Sequence, residues 1–193
     1  SPTGYLHLGG ARTALFNYLF AKRYNGTFLI RIEDTDQKRS TKEAVQAIYD
    51  GLQWLNLNST EKIVYQSEQK LKHIEIANQL LNQGFAYRCY LNQNEIEKLR
   101  VDSRKIGVPI KSPWRNKTSK NNDDNEHVIR LKMPLEGNTT ISDKIQGDVT
   151  VDNTILDDMI ILRSDKSPTY MLSSVVDDFN MGVTHIIRGD DHF

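Results

Sequence analysis

Apolar side chains recur along this chain with two different periods, which predict helices and strands in alternation. Residues 27–33 (TFLIRIE) form a nearly continuous apolar run, as is typical of a buried parallel strand. Helical spacing of apolar residues precedes this run, where Ala11, Leu15, Tyr18 and Leu19 share one face. A helix followed by a strand, after a turn that a strand normally precedes, predicts a βαβ unit with parallel strands.

Three later helices are predicted from the same spacing. The first of them opens with a capping box from Ser40 to Glu43, in which each side chain bonds the backbone near the other. Their predicted apolar faces are Val45, Ile48, Leu52 and Leu55; Leu71, Ile74, Ala77 and Leu81; and Leu172, Val175, Val176 and Phe179.

The pattern changes in the middle of the chain. Residues 115–126 (RNKTSKNNDDNE) contain no apolar side chain, as expected of a solvated loop. Around this loop the sequence predicts a short helix at 93–100 and short strands that pair antiparallel. These strands are expected at 85–90, at 127–133, and as a strand, turn and strand over 141–152.

The alternation of strand and helix resumes after residue 157, with strands predicted at 159–162 and 183–187 and a helix between them. We therefore predict an α/β chain with a Rossmann-like, parallel-sheet nucleotide-binding fold that an α+β insertion interrupts. The predicted segments are 1–84 for the first half of the domain, 85–157 for the insertion and 158–193 for the resumed domain.

Composition narrows the class of protein. The 193 residues include 25 basic and 25 acidic ones, so no net charge marks a nucleic-acid-binding protein, although a local basic face is compatible with it. The single cysteine, Cys89, excludes an internal disulfide and favours a reducing compartment. No apolar run approaches the roughly 18 residues that cross a bilayer. We expect a soluble cytoplasmic protein.

The first candidate site lies in residues 1–20, where turn residues lead through a histidine and two glycines into a helix. The free N–H groups of a first helical turn attract an anion, and glycine lets a ligand approach the backbone. His7 stands two residues before Gly9, where its imidazole reaches the same ligand. These residues are compatible with a phosphate site; taken alone, HLGG fits an ordinary glycine-containing turn with a solvated histidine better.

Acidic residues follow the predicted strand at 27–33. Ligands of parallel sheets bind beyond the carboxyl ends of the strands, so the acidic run from Glu33 to Asp36 is expected near His7. The alternatives are a solvated acidic turn and a helix-capping cluster, whereas a calcium loop is excluded because its glycine and final glutamate are missing. Asp177 and Asp178 are compatible with surface charges on a helix, and we predict no metal site.

Motifs along nearly the whole chain resemble one family. They are SPTG at 1–4 with HLGG at 7–10, RIEDTD at 31–36, PTY at 168–170, VVDD at 175–178 and IRGDD at 187–191. Together they are similar to the catalytic half of bacterial glutamyl-tRNA synthetases, a family of class I aminoacyl-tRNA synthetases. HLGG corresponds to the HIGH-type signature, with glycine in place of the last histidine.

The resemblance implies an aminoacyl-tRNA ligase that uses ATP with Mg²⁺ to activate L-glutamate. The glutamyl group of the adenylate then passes to the 3′-terminal adenosine of tRNA(Glu), with tRNA(Gln) open as a second acceptor. The implied residues are His7 and Gly9 for catalysis; His7, Gly9 and Gly10 for ATP; and Ser1, Glu33, Tyr170 and Arg188 for glutamate. Arg188 would pair with the side-chain carboxylate and Glu33 with the α-ammonium, while Ser1 and Tyr170 would add hydrogen bonds.

The resemblance also implies that the insertion contacts the tRNA acceptor end. The basic residues available there are Lys98, Arg100, Arg104, Lys105, Lys111, Arg115, Lys117 and Lys120. Some members carry a cysteine-rich zinc site in this region; one cysteine does not suffice for it, so we expect no structural zinc. We expect a monomer whose lysine-rich second signature loop and anticodon-binding domain lie outside these 193 residues, and no activity from these residues alone.

Two other functions stay open. One is a tRNA-modifying paralogue that attaches glutamate to a modified, queuosine-type base, and the other is a nucleotide- or tRNA-binding module without catalysis. The RTALFN sequence at 12–17 and the length of the insertion favour the ligase.

Overall fold

The computed structural model describes residues 6–36, 40–117 and 125–189, which fall into two compact units. The first unit is Ser1–Leu71 with Val175–Phe193, and the second is Lys72–Ser174. The described helices are α1 (Leu8–Arg23), α2 (Lys42–Trp54), α3 (Lys70–Asn82), α4 (Gln93–Ile106) and α5 (Tyr170–Asn180). The described strands are β1 (Arg31–Ile32), β2 (Val64–Tyr65), β3 (Ala86–Cys89), β4 (Val128–Leu131), β5 (Asn138–Asp143), β6 (Gly147–Asp152) and β7 (Ile160–Leu162).

The first unit contains a βαβ arrangement one step further along the chain than the predicted one, because its second strand, β2, follows α2 and was not predicted. Strands β1 and β2 pair parallel, with Arg31 opposite Val64 and Ile32 opposite Tyr65, and α2 lies between them in the chain. The parallel sheet is confirmed, although β1 has two residues where the apolar run predicted a strand over 27–33. None of these described helices is long and apolar enough to cross a membrane.

The strand predicted at 183–187 is wrong. These residues have no regular secondary structure, and none of them is buried. The backbone of Ile187 bonds instead to the side chain of Asn17 on α1: the Asn17 amide donates to the Ile187 carbonyl at 2.8 Å and accepts from its N–H at 3.2 Å. A side-chain amide carries both N–H donors and a carbonyl acceptor, as a neighbouring strand's backbone does, so Asn17 occupies the groups of Ile187 that a strand partner needs.

The N-cap of helix α2 lies one residue after its predicted position. Thr41 is the N-cap, and its hydroxyl accepts from the Ala44 N–H at 3.2 Å, so the predicted Ser40–Glu43 capping box is wrong. Within the described residues, the buried Oγ of Ser40 has no hydrogen-bond partner. Local sequence marks the start of this helix but offers two adjacent hydroxyl residues, and the geometry of entry into the helix selects Thr41.

The buried faces of α3 and α5 differ from their predicted apolar faces. His73 and Ala77 are the buried residues of α3, whereas Leu71 is exposed. On α5, Leu172 and Val176 are buried as predicted, but Val175 and Phe179 are exposed. The positions beside the buried leucine and valine are taken by Ser173 and Asp177, which are 0% and 1% exposed. Polar contacts therefore set the orientation of this helix together with apolar ones.

Helix α1 forms as predicted, but it has no buried residue, and Leu15 and Leu19 on its predicted apolar face are exposed. Helix α4 begins in its predicted region and continues to Ile106. A capping box between Asn92 and Glu95 starts it, and Gly107, with φ of 68°, ends it in the left-handed region that glycine tolerates.

Antiparallel sheets fill the second unit. Strands β3, β4 and β7 form one sheet in the order β3-β4-β7, and β5 and β6 form a separate hairpin. The antiparallel pairing predicted around residues 115–126 is confirmed, and β7 also joins it by pairing antiparallel with β4. The segment limits at residues 84 and 157 stay a prediction.

The carboxylate of Asp158, which is 0% exposed, is the polar centre of the second unit. It forms an ion pair with Arg115, accepts from the Tyr87 hydroxyl at 3.0 Å and accepts from the Met133 N–H at 3.1 Å. Burial, followed by the charge of Asp158, raises the pKa of Tyr87, so the phenol stays protonated and donates. One side chain thus ties together β3, the Pro113–Asn116 turn and the residue that follows β4 by two positions.

Removing this carboxylate is expected to destabilise the chain strongly. Asp158→Ala leaves Arg115 buried without its ion-pair partner, and such a loss costs about 3–5 kcal/mol of the free energy of unfolding. Urea unfolding followed by circular dichroism measures it. Glu97→Ala is the control, because its exposed ion pair with Arg100 contributes at most about 0.5 kcal/mol. A loss below about 1 kcal/mol for Asp158→Ala would contradict the central role of this residue.

Candidate active site

His7 caps the N-terminus of α1. Its Nδ1 accepts from the Gly10 N–H at 3.3 Å, and its carbonyl accepts the first helical hydrogen bond, from Ala11, at 3.0 Å. A ring nitrogen accepts only when it carries no proton, so in this arrangement Nδ1 is unprotonated and the other nitrogen, Nε2, is available as a donor. The exposed imidazole is thus placed beside the helix N-terminus, where an anion would bind.

Gly9 and Gly10 leave room for side chains that lie close to them. A Cβ atom on Gly9 would lie 3.1 Å from two atoms of the His7 ring, and one on Gly10 would lie 3.2 Å from the side chain of Leu6. Gly51 of α2 meets Leu6 in the same way, at 3.0 Å. The side chain of Leu6 therefore fits between two glycines, and the His7 ring stands over the backbone of Gly9.

Glu33 and Asp34 follow β1, as predicted, and each has a partner. Oε1 of Glu33 accepts from Nη2 of Arg31 at 3.3 Å. The Asp34 carboxylate accepts from both the backbone N–H and the hydroxyl of Ser67, at 2.8 and 2.7 Å. The alternative of a solvated acidic turn is therefore wrong for these two residues, because both are held by specific hydrogen bonds. The helix-capping alternative fits Asp34, since Ser67 lies in the first turn of the short helix Gln66–Gln69.

Asp177 and Asp178 near the end of α5 are part of the same unit, and they are not free surface charges. Asp177 is buried and accepts from the Gln66 side chain at 2.9 Å. Asp178 forms an ion pair with Nη1 of Arg31, the residue that also bonds Glu33. Sequence reasoning did not include Arg31 among the candidate residues. The signal was present, since residues two apart in a strand project from the same face, which places Arg31 beside Glu33.

The other predicted glutamate ligands differ in their environments. Arg188 is exposed, follows the Asn17-bound Ile187, and makes no hydrogen bond or ion pair within the described residues. Tyr170 begins α5 and is 44% exposed; it belongs to the second unit. Ser1 lies outside the described residues.

The predicted basic residues of the insertion have different environments. Arg115 forms an ion pair with Asp158 and donates to the Met133 carbonyl, so in this structure its guanidinium is not free to bind a phosphate. The Nζ of Lys117 lies over the Trp114 ring, 4.6 Å from its centre. The exposed basic side chains along α4 are Lys98, Arg100, Arg104 and Lys105; Lys111 donates to the Leu156 carbonyl at 3.4 Å, and Lys120 lies outside the described residues.

Within residues 6–36, 40–117 and 125–189, no three His, Cys, Asp or Glu side chains are grouped so that they could hold a metal ion. Cys89 is buried there and donates to the Ser112 hydroxyl at 3.3 Å.

A family profile described as tRNA synthetases class I (E and Q), catalytic domain, matches residues 1–193. The chain belongs to this family. Its α/β fold and the order of its motifs, including the HLGG stretch at α1, agree with that membership. E and Q are the one-letter codes of glutamate and glutamine, so the family unites the synthetases for two amino acids of nearly equal size.

Relatives of this synthetase chain share more than half of its residues. Glutamate–tRNA ligase 1 of Sphingopyxis alaskensis is 54% identical over the whole chain, which covers 39% of that protein. Glutamate–tRNA ligase 2 of Novosphingobium aromaticivorans is 55% identical over the whole chain, which covers 40% of that protein. The chain thus spans about two fifths of the length of the curated relatives it matches.

Solved structures agree with the fold. A crystal structure of a glutamate tRNA ligase from Elizabethkingia meningosepticum in complex with its amino acid has a TM-score of 0.87 and 31% identity, covering 98% of this chain and 42% of that one. A glutamate-tRNA synthetase from Elizabethkingia anophelis has a TM-score of 0.86 and 31% identity, covering 98% and 43%. These matches confirm the Rossmann-like α/β fold.

The capping role of His7 can be separated from any chemical role. His7→Ala removes the acceptor for the Gly10 N–H and is expected to lower the free energy of unfolding by about 0.5–1 kcal/mol, because the bond is long and exposed. His7→Asn supplies another good N-cap acceptor and is expected to restore the loss. Thermal or urea unfolding of both variants measures it. Equal stability of His7→Ala and the parent chain would contradict the cap.

Proposed function

We propose that the protein containing this chain is a glutamate–tRNA ligase, which forms glutamyl-adenylate from ATP and glutamate and then transfers the glutamyl group to the 3′-terminal adenosine of tRNA(Glu). The observation that supports this most strongly is the identity of 54–55% over the whole chain with relatives that bear that name. We expect a monomer that acts in the cytoplasm, and we expect these 193 residues alone to be inactive.

The N-terminus of α1 is the proposed ATP site. In the first step a carboxylate oxygen of glutamate attacks the α-phosphate and pyrophosphate leaves, so negative charge builds up on the phosphate oxygens. The helix N-terminus, where Gly9 and Gly10 carry no side chain, presents to that charge the N–H groups of its first turn that the His7 cap does not use. Nε2 of His7 is free to donate to the same phosphates while Nδ1 keeps the cap. No side chain here needs to act as a covalent nucleophile.

The two ends of glutamate call for opposite charges. Arg188 is the proposed partner of the side-chain carboxylate, since its guanidinium is exposed and has no partner in the described residues, and a guanidinium can bind both carboxylate oxygens. Glu33 is the proposed partner of the α-ammonium. Tyr170 and Ser1 are proposed to add hydrogen bonds.

This arrangement would discriminate against glutamine. A glutamine side chain has no charge to offer Arg188, so the guanidinium would be desolvated without its partner. Truncating one member of a buried, hydrogen-bonded charge pair costs on the order of 2–5 kcal/mol. A penalty of that size is sufficient for selection without a separate editing site.

Mg²⁺ is proposed to enter with ATP. The described residues contain no group of three ligands for a cation, so they do not fit a dedicated metal cage. Mg²⁺ typically combines phosphate oxygens and water with one or two carboxylates, and here it would neutralise charge on the ATP phosphates. We assign no protein ligand to it.

The insertion is proposed to bind the acceptor end of tRNA through the exposed basic side chains of α4. Lys98, Arg104 and Lys105 project from this helix into solvent. Arg115 is left out, because the buried Asp158 holds it. Whether tRNA(Gln) is a second acceptor is a separate question for the whole protein.

Exchange of pyrophosphate into ATP tests the amino-acid site. In the intact protein, with tRNA present, Glu33→Gln and Arg188→Ala are each expected to lower kcat/KM for glutamate by about 30-fold or more, which corresponds to the loss of about 2 kcal/mol or more. His7→Asn, which keeps the cap, is expected to lower kcat by about 100–1,000-fold through the lost donor. Arg23→Gln, an exposed change at the end of α1, is the control.

Other outcomes identify the alternatives. ATP binding without glutamate-dependent exchange would leave only a binding module. Glutamate-dependent exchange with the product on a modified tRNA base, rather than on the terminal adenosine, would identify the tRNA-modifying paralogue.

The salt dependence of tRNA affinity tests the insertion. Replacing Lys98, Arg104 and Lys105 by glutamine is expected to weaken binding and to reduce the slope of log affinity against log salt by about 0.7–0.9 for each phosphate that the protein no longer neutralises. Filter binding or fluorescence anisotropy over a salt series measures both quantities. A control triple in the first unit replaces Arg23, Lys42 and Lys62 by glutamine. An unchanged slope for the α4 triple would contradict the assignment.

A further inference from the structure

Arg31 occupies the position between the proposed ammonium ligand and α5. Its side chain is 14% exposed, and its two terminal nitrogens face different carboxylates. Nη2 donates to Oε1 of Glu33 at 3.3 Å, while Nη1 forms an ion pair with Oδ1 of Asp178 and lies 3.9 Å from the sulfur of Met181. A single guanidinium therefore joins the end of β1 to the end of α5.

The charges around Arg31 favour this arrangement. Burial acts to lower the pKa of Arg31, but the hydrogen bonds and charges of Asp178 and Glu33 outweigh it, so the net pKa is raised. Planar guanidinium groups bind two acceptors at fixed angles, which a lysine ammonium does not. Asp178, which is on a helix, fixes the position of Nη1. Because the guanidinium is planar, Nη2 then points in a defined direction toward Glu33.

The backbone that carries Glu33 is fixed separately. Glu33 has left the regular strand, since β1 ends at Ile32. The next residue, Asp34, bonds both the N–H and the hydroxyl of Ser67, so the chain is anchored immediately after Glu33. With the backbone held by Asp34, the freedom that remains is rotation of the Glu33 side chain, and Arg31 restricts it.

One oxygen of Glu33 stays available. Arg31 uses Oε1, and Oε2 makes no hydrogen bond within the described residues. The Glu33 side chain is 23% exposed, so a small cation can reach it. A carboxylate with one oxygen bound to a fixed guanidinium presents the other oxygen in a defined direction, which suits a primary ammonium.

We propose that Arg31 is a positioning residue for amino-acid binding: it holds Glu33 through Oε1 and directs Oε2 toward the α-ammonium of the substrate. This proposal rests on the proposed function, in which Glu33 binds that ammonium. The proposal gives Arg31 no contact with the substrate, because its two terminal nitrogens are directed at Glu33 and Asp178.

A double-mutant cycle in the intact protein tests this role. The variants are Arg31→Gln, Glu33→Gln and the two combined, with Arg23→Gln as a matched exposed control. Pyrophosphate exchange with tRNA present gives KM for glutamate and for ATP, and thermal unfolding reports stability. Misplacing a group by about 1 Å costs up to about 100-fold, so Arg31→Gln is expected to raise KM for glutamate by about 10–100-fold and KM for ATP by less than about 3-fold.

The combined variant separates positioning from a merely structural role. If Arg31 acts through Glu33, adding Arg31→Gln to Glu33→Gln changes KM for glutamate by less than about 3-fold, because the carboxylate that it positions is already gone. Equal effects of Arg31→Gln with and without Glu33 would overturn the proposal and leave the proposed function intact. A parallel rise of both KM values would also overturn it.

Two further outcomes are distinguishable. If Glu33→Gln leaves KM for glutamate unchanged, the assignment of Glu33 in the proposed function fails, and the role of Arg31 fails with it.

Should Arg31→Gln not fold, Arg31→Lys takes its place in the cycle. Lysine keeps the charge but cannot bind two carboxylates at the fixed angles of a guanidinium, so a smaller rise of about 3–10-fold in KM for glutamate is expected. A rise below about 2-fold would overturn the proposal.

Discussion

Pairing of an arginine with an aspartate, largely out of water, is the interaction on which both units depend. In the first unit Arg31 and Asp178 connect β1 to the end of α5. In the second, Arg115 and Asp158 connect the Pro113–Asn116 turn to the residues before β7. A charge withdrawn from water is tolerated only with a partner and further hydrogen bonds. Each pair therefore constrains segments that are far apart in the sequence.

The two halves that we propose for the candidate active site, one for phosphate and one for the amino acid, use different physical means. The phosphate half is built from backbone N–H groups at α1, with His7 as a cap and glycines that leave room around it. Such a site tolerates little side-chain bulk, but it depends little on residues that are distant in the sequence. The amino-acid half depends on charged side chains, which must be oriented. Glu33 is oriented by Arg31, and the segment before Arg188 is held by Asn17.

Local sequence patterns predicted the position of helix α5 better than they predicted which of its residues are buried. The helical spacing at 170–181 located α5, because a helix forms from bonds between neighbours in the chain. The same spacing placed Val175 and Phe179 inside, whereas Asp177 is buried there, because a hydrogen bond to Gln66 compensates its burial. Apolar character at 183–187 predicted a strand, and a side-chain amide from α1 took the backbone bonds that a strand requires.

By itself, the sequence determined the α/β class, the helix that starts at HLGG, the use of a parallel sheet and the family, since periodicity and short motifs are local properties; the partner of β1 was not among the predicted strands. Only the tertiary structure decided which acidic residues are structural. It showed that Arg115 pairs with Asp158 and that Arg31 joins Glu33 to Asp178. The physical reason is that a charge finds its partner through space. Arg31 and Asp178 are 147 positions apart, and no local pattern encodes their contact.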